Sequence, residues 1–571
     1  MLHSKQFSLS ILLSFILFSS AAFTQVEKLH LKNQSPTYKE VIQFYTNLAD
    51  RYDYAKLFTY GTSDAGLPLH LFVIDYKKEF RPNSKRAMLL IMNDIHAGEP
   101  CGVNASMLLT KNMLESGKIP EKAIIGIIPI YNIGGALNRN SETRTNQDGP
   151  MEYGFRGNAK NLDLNRDFIK NDSKNAQAFT EIFHLWKPQL FVDTHTSNGA
   201  DYQYSFTLIA TQKDKLSPVL KPFLTDKIEP FLYTGMKQKG YEMSPYVSPF
   251  DKVPENGIKA FMDYPHYSTG YTALFNTIGF TTEAHMLKPF SERVEATRTF
   301  LSLLISFTNK NADEVVQYRR MANRMMVNSL SYDVDWKLND TIYKEIKFKG
   351  YEAAYKKSLI SGKDRLYYDR SKAYEKMIPY YGTYIATQKV KRPKYYVIPQ
   401  AYDEVIKRLQ DNKVLLNQLK RDTLIRVKEF YINSYNTTDY AYEGHYLHSN
   451  VKVSEKMATH QFYKGDYIVP MGQVSDYYTL TVLDPRSVDS FFAWNFFDPI
   501  LQQKEWYSAY VFEDEAVEIL NADPELQKEF NEMKKNDPVF REDGSAQLYF
   551  IYTHSKHFEK AHMLYPVYRV D

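Results

Sequence analysis

The sequence predicts an α/β protein: a mixed, mainly parallel sheet with helices on both faces, followed by an additional α+β or β-rich C-terminal region. Residues 87–92 (AMLLIM), 124–131 (IIGIIPIY) and 189–194 (QLFVDT) are strand-length runs dominated by apolar side chains. Helical patterns separate them, as at 175–186, where Ala176, Phe179, Phe183 and Trp186 fall on one face. Strands apolar on both sides, alternating with amphipathic helices, belong to a parallel sheet covered on two faces. Hydrophobic residues make up 43% of the chain and charged residues 24%, with 71 Lys+Arg against 67 Asp+Glu, which excludes a disordered chain.

The first element follows from a capping box, Thr37-x-x-Glu40. Val41, Phe44 and Leu48 continue it at helical spacing, so a helix opens near residue 38. Short strands are expected at 56–60 and 69–75, either side of Gly66-Leu67-Pro68. The strand at 87–92 leads into a helix over 103–114. Beyond about residue 310 the character changes to a basic helix at 315–326, then a Tyr- and Lys-rich region with a helix at 403–420 and strands at 467–469 and 478–483. Phe491, Phe492, Trp494, Phe496 and Phe497 read as core filling there. The expected organisation is a signal peptide (1–24), a catalytic domain (38–310) and a C-terminal region (311–571) of one or two subdomains, without a chemical motif.

A length of 571 residues leaves room for such a division at ~100 to 200 residues per domain. A net charge of +4 provides no basic footprint for nucleic acid. The single cysteine, Cys101, excludes an intramolecular disulfide and a thiolate zinc cluster, so a metal would have to sit on histidines and carboxylates. At the N-terminus His3 and Lys5 precede an apolar run at 9–23, closed by Ser19, Ser20, Ala21 and Ala22. That pattern describes a secretory signal peptide. It is shorter than the ~20 apolar residues of a membrane span, so no stable membrane insertion is expected after cleavage. An exported chain of this length without disulfides points to a bacterial periplasm or extracellular space.

The chemistry gathers at predicted strand ends, where open α/β sheets bind ligands. His96 and Glu99 follow AMLLIM directly, and His195 follows QLFVDT. Two imidazoles and one carboxylate can hold zinc and leave a fourth position for water, the open geometry of a hydrolytic site.

Between these lies Gly154-Phe155-Arg156-Gly157-Asn158-Ala159-Lys160-Asn161-Leu162-Asp163-Leu164-Asn165-Arg166. With D-x-N-R placed between H-x-x-E and a strand-end His, residues 38–310 resemble the zinc carboxypeptidases. The pattern G-x-R-x-N-A-x-x-x-D-L-N-R is similar to the branch represented by carboxypeptidases E and D. The resemblance implies one Zn2+ on His96, Glu99 and His195, with Asp163 buttressing the first histidine. It implies that Asn165 and Arg166 dock the substrate's C-terminal carboxylate, and that Arg156 stabilises the oxyanion, with Arg144 and Arg139 as its rivals. Glu283, in Gly279-Phe280-Thr281-Thr282-Glu283-Ala284-His285, is the implied general base. Tyr267 and Tyr271 are the candidates for the tyrosine that caps the substrate. His285 shares a strand face with Glu283, and Asp201 and Tyr202 are further candidates to line the cleft.

Asp167 departs from the family's N-R-N-F; facing the pocket it would disfavour a carboxylate, and facing away it would have no such effect. The implied activity is a secreted zinc metallocarboxypeptidase that uses a zinc-activated water and a glutamate base on peptide or protein C-termini. The alternatives are a zinc deacylase or cell-wall stem-peptide peptidase on the same site, or an inactive binding protein of this fold.

Overall fold

Thr37 starts the first long helix, Tyr38–Arg51, through the expected capping box: its hydroxyl accepts from the Glu40 backbone N–H, and Glu40 accepts from the Thr37 N–H at 2.8 Å. Val41, Phe44 and Leu48 bury the inner face of this helix. The computed structural model describes Val26 and residues 29–571; the expected signal peptide lies outside the described residues.

An eight-stranded mixed sheet organises the N-terminal half. Its strands are β1 (Ala55–Tyr60), β2 (Leu69–Ile74), β3 (Ala87–Met92), β4 (Ala123–Ile128), β5 (Leu190–Ser197), β6 (Phe206–Ala210), β7 (Ser244–Pro245) and β9 (Ile278–His285); β8 (Ile258–Lys259) belongs to another sheet. They run in the order β1-β2-β4-β3-β5-β9-β6-β7. The inner strands β4, β3, β5 and β9 pair in parallel, whereas β1, β2 and β6 join antiparallel. Every residue of β3, β4, β5 and β9 is buried, so both faces are covered. Helices Cys101–Ser116, Lys174–Trp186 and Phe290–Lys310 provide much of that cover.

Strand β5 runs further than its apolar stretch predicts, so that His195 lies inside the strand instead of after it. Pairing with β9 continues through His195↔Glu283 to Ser197↔His285 and keeps these polar residues extended.

Past residue 310, helix Ala312–Asn328 leads to a long hairpin, Lys344–Lys357 with Asp364–Tyr381, whose second strand also pairs with β8. A six-stranded sheet and a group of short helices between residues 509 and 553 follow. Tyr396, Ile398, Val405, Phe492 and Trp494 share one continuous core with the N-terminal sheet. No helix among the described residues is long and apolar enough to cross a membrane.

Two expected elements differ. The helix expected over 403–420 ends at Asp411, because Lys413 takes a left-handed conformation (φ 57°) and turns the chain. Residues 478–483 lie in a helix, Asp476–Leu483, instead of a strand. All residues from Tyr478 to Leu483 are buried, so the segment has no polar stripe from which a helical period could be read.

Candidate active site

His96 and Glu99 sit in the connection between β3 and helix Cys101–Ser116, where the Glu99 N–H donates to the His96 carbonyl at 2.8 Å. His195 and Glu283 enter from the adjacent strands β5 and β9. All four are buried. The two Glu99 oxygens divide between the histidines, Oε1 lying 3.3 Å from His96 Nδ1 and Oε2 3.3 Å from His195 Nδ1. One donor atom from each residue falls within 4.8 Å of the others. Each imidazole's far nitrogen faces a carboxylate: His96 Nε2 is 3.0 Å from Asp163 Oδ1, and His195 Nε2 is 2.9 Å from Asp193 Oδ2. This donor set fits zinc, because a carboxylate behind each histidine favours a proton on Nε2 and leaves the Nδ1 lone pair free to ligate.

Asp193 escaped the sequence reading, although Asp193-x-His195 on a strand puts both side chains on one face. Ser268 holds Asp193 Oδ2 from behind at 2.7 Å, and the Thr196 N–H donates to Glu99 Oε2 at 2.8 Å.

Electrostatics divide the carboxylates into two kinds. Burial alone would raise Glu99 and Asp163, but positive neighbours outweigh it. Arg144 and His96 hold Glu99 well below the carboxylate range, and His96, Arg156 and Arg166 do the same for Asp163. Glu283 has no hydrogen-bonding partner for its carboxylate among the described residues. Burial pushes it up to about 8, with Glu99 and Asp193 adding to the effect and His195 and Arg144 opposing it.

The three candidate arginines separate clearly. Arg156 places Nε and Nη2 on Asp163 Oδ2 at 3.1 and 2.8 Å, with Nη1 3.3 Å from His96 Nδ1 at the lip of the cleft. Arg144 donates from Nη1 to Glu99 Oε1 at 2.8 Å and also borders the cleft. Arg139 is directed elsewhere, to the carbonyls of Ser35, Pro36 and Glu152.

Asn165 and Arg166 line a cleft of about 440 Å³ together with His96, Glu99, His195 and Glu283. Asn165 Oδ1 accepts from the Ser268 N–H at 3.2 Å. Arg166 lies over the Tyr267 ring, 4.5 Å from its centroid, and Tyr267 lines the same cleft. Tyr246 and Phe261, unnoticed in the sequence, complete that wall.

Tyr271 is a correction. It is fully buried, its hydroxyl bonded to Asn412 at 2.7 Å and to His184 at 3.0 Å, because helix Ser268–Ala273 turns position 271 toward the core while Ser268 and Thr269 meet the cleft. Asp167 also faces away: its carboxylate accepts from the backbone N–H groups of Asp172 and Ser173 and pairs with Lys170 at 3.4 Å. His285 stacks on Tyr202 and lies 3.2 Å from Asp201, which Arg370 also binds. These three form a buried cluster next to the cleft.

The zinc carboxypeptidase family model matches residues 41–202. That span holds His96, Glu99, His195 and the 154–166 segment, while Glu283 lies beyond it. No curated protein matches the sequence significantly. Similar solved structures include a metallo-carboxypeptidase from Burkholderia cenocepacia, 14% identical over 48% of this chain and 70% of that one, with a TM-score of 0.36. Another is a metallo-carboxypeptidase from Pseudomonas aeruginosa in complex with (2-guanidinoethylmercapto)succinic acid, 15% identical over 48% of this chain and 70% of that one, with a TM-score of 0.36. A third is carboxypeptidase A from Helicoverpa armigera, 13% identical over 51% of this chain and 75% of that one, with a TM-score of 0.37.

Proposed function

We propose that this chain, whose residues 41–202 match the zinc carboxypeptidase family model, is a zinc-dependent peptidase that removes C-terminal residues from peptides. The observation that carries the reading is the convergence of His96, Glu99 and His195 beside the buried Glu283, whose carboxylate has no hydrogen-bonding partner among the described residues. Zinc held by that group would polarise the scissile carbonyl and lower the pKa of an attacking water.

The remaining roles fall to the protein. Glu283 takes the proton that water loses as its oxygen bonds the carbonyl carbon, and returns it to the amine as the C–N bond breaks. Burial suits Glu283 to this, since a carboxyl excluded from solvent binds a proton more readily than an exposed one. Arg156, anchored by two of its nitrogens on Asp163, offers Nη1 to the developing oxyanion. Arg166 and Asn165 dock the terminal carboxylate, for which a planar guanidinium is suited. The orientation of Asp167 into the protein keeps its charge out of this end of the cleft.

The same reading includes export, supported by the leader-like pattern of residues 1–24. Zinc content measured together with hydrolysis of an N-blocked dipeptide tests the function. One zinc per chain with chelator-sensitive release of the C-terminal residue is expected. A purified chain that binds no zinc and cleaves no free-carboxylate peptide would overturn it.

A further inference from the structure

The C-terminal half reaches the substrate end of the cleft through a turn at residues 442–445. Tyr442 accepts from Arg166 Nε at 2.7 Å, and Glu443 Oε2 accepts from the Asp163 N–H at 2.6 Å. The turn is tied down on several sides. The Tyr442 N–H donates to the His445 carbonyl at 2.7 Å. Lys170 donates to the Glu443 carbonyl at 3.1 Å, and His445 Nε2 lies 2.7 Å from Asp172 Oδ2. The Tyr442 ring stacks against Trp494 at 6.3 Å between centroids.

These contacts determine which nitrogens Arg166 can offer. Nε is occupied by Tyr442 and Nη1 donates to the Asn165 carbonyl at 2.8 Å. Nη2 has no protein partner among the described residues. Asp163 is the nearby competitor, 3.9 Å from Nη1; released from Tyr442, a long guanidinium would be free to close on that carboxylate and neutralise itself. We propose that Tyr442 is the positioning residue of the carboxylate-docking site, holding Arg166 off Asp163 so that its free edge meets the substrate's terminal carboxylate. The C-terminal half then completes the substrate site. This rests on the docking role proposed above for Arg166.

Calorimetric binding of N-acetyl amino acids and their C-terminal amides to the full-length, zinc-loaded protein tests it. The wild type is expected to favour the free carboxylate at least tenfold. Tyr442→Phe, which keeps the ring, is expected to cut that preference about fivefold or more while leaving amide affinity and melting temperature unchanged. Tyr442→Gln, which restores an oxygen acceptor, should recover part of it. Tyr440→Phe, at an exposed position close by, should match the wild type. A full preference in Tyr442→Phe overturns the proposal alone, as does a parallel loss of amide binding. A wild type without any carboxylate preference overturns the docking role of Arg166 and this inference with it.

Discussion

His195 and Glu283 lie directly beside one another in register on the parallel strands β5 and β9. Parallel pairing puts both at the same height at the C-terminal end of the sheet, so a candidate metal ligand and a buried acid far apart in sequence share one cleft. The register is held by the apolar pairs below them, Leu190↔Ile278 and Val192↔Phe280, since a slip of one residue would carry every side chain to the opposite face.

Glu283→Gln keeps the shape of the side chain and removes its ability to accept a proton. Zinc content should be unchanged while kcat falls roughly 10²- to 10⁴-fold, the usual contribution of a general base. Metal analysis and steady-state kinetics on the same preparation decide the matter; a variant with near-normal kcat removes Glu283 from the reaction.

Asp193→Asn tests the carboxylate behind His195, 2.9 Å from Nε2. An amide in its place loses the charge that raises the basicity of the imidazole, and zinc affinity should weaken about 10- to 100-fold. Competition with a chelator of known affinity measures this. Equal affinity in the two proteins would mean that Asp193 serves the fold through Ser268 only.

Arg166→Ala removes the guanidinium proposed to dock the substrate's carboxylate. Loss of one charge-assisted contact of roughly 1.5–3 kcal/mol predicts about a 10- to 100-fold drop in kcat/KM on peptides with a free C-terminus. Cleavage of amidated peptides, which have no carboxylate to dock, should change little. An unaltered ratio between the two substrate classes argues against the role.

His184 supplies a pH dependence of stability. Burial holds its pKa down at about 3, the Asn412 hydrogen bond opposing and Lys413, Arg319 and Lys187 reinforcing the depression. An unfolded histidine titrates near 6.5, so between pH 6.5 and 3 the unfolded chain binds the proton and the folded chain does not. Stability from this group is complete above about pH 6.5 and is lost on acidification at up to roughly 1.4 kcal/mol per pH unit. Urea unfolding from pH 4 to 8 should show His184→Gln with the flatter acid limb; parallel limbs would show that the group does not titrate between states.

Gly102→Ala tests the seating of helix Cys101–Ser116 on the sheet. A Cβ at Gly102 would lie 1.9 Å from Thr194 Oγ1 and 2.8 Å from Asn93 Oδ1, both side chains of the buried strand ends. Overpacking there should cost about 1–3 kcal/mol. Because His96 and Glu99 immediately precede this helix, zinc affinity should fall with it; a thermal unfolding temperature equal to that of the wild type would refute the close approach.

The features readable from the chain alone are the local ones. The capping box locates the start of helix Tyr38–Arg51, and apolar runs locate β3, β4 and β5, because each signal is contained within a few neighbouring residues. Segment Asp476–Leu483 was not readable, since a helix buried at every position but Tyr477 carries little periodic contrast. The order of His96, Glu99, Asp163–Arg166, His195 and Glu283 carries the resemblance to the zinc carboxypeptidases, and it is that resemblance that implies their roles.

Tertiary structure decides the rest. It separates Tyr267, against Arg166, from Tyr271, buried on Asn412, although both sit in one short sequence segment. It turns Asp167 inward, adds Asp193 behind His195, and brings Tyr442 and Glu443 from about 280 residues away onto Arg166 and Asp163. Residue type and spacing carried the resemblance that named the candidate groups. Which of them face the cleft depends on strand register, helix rotation and long-range closure of the chain, and these are settled by packing across the whole core.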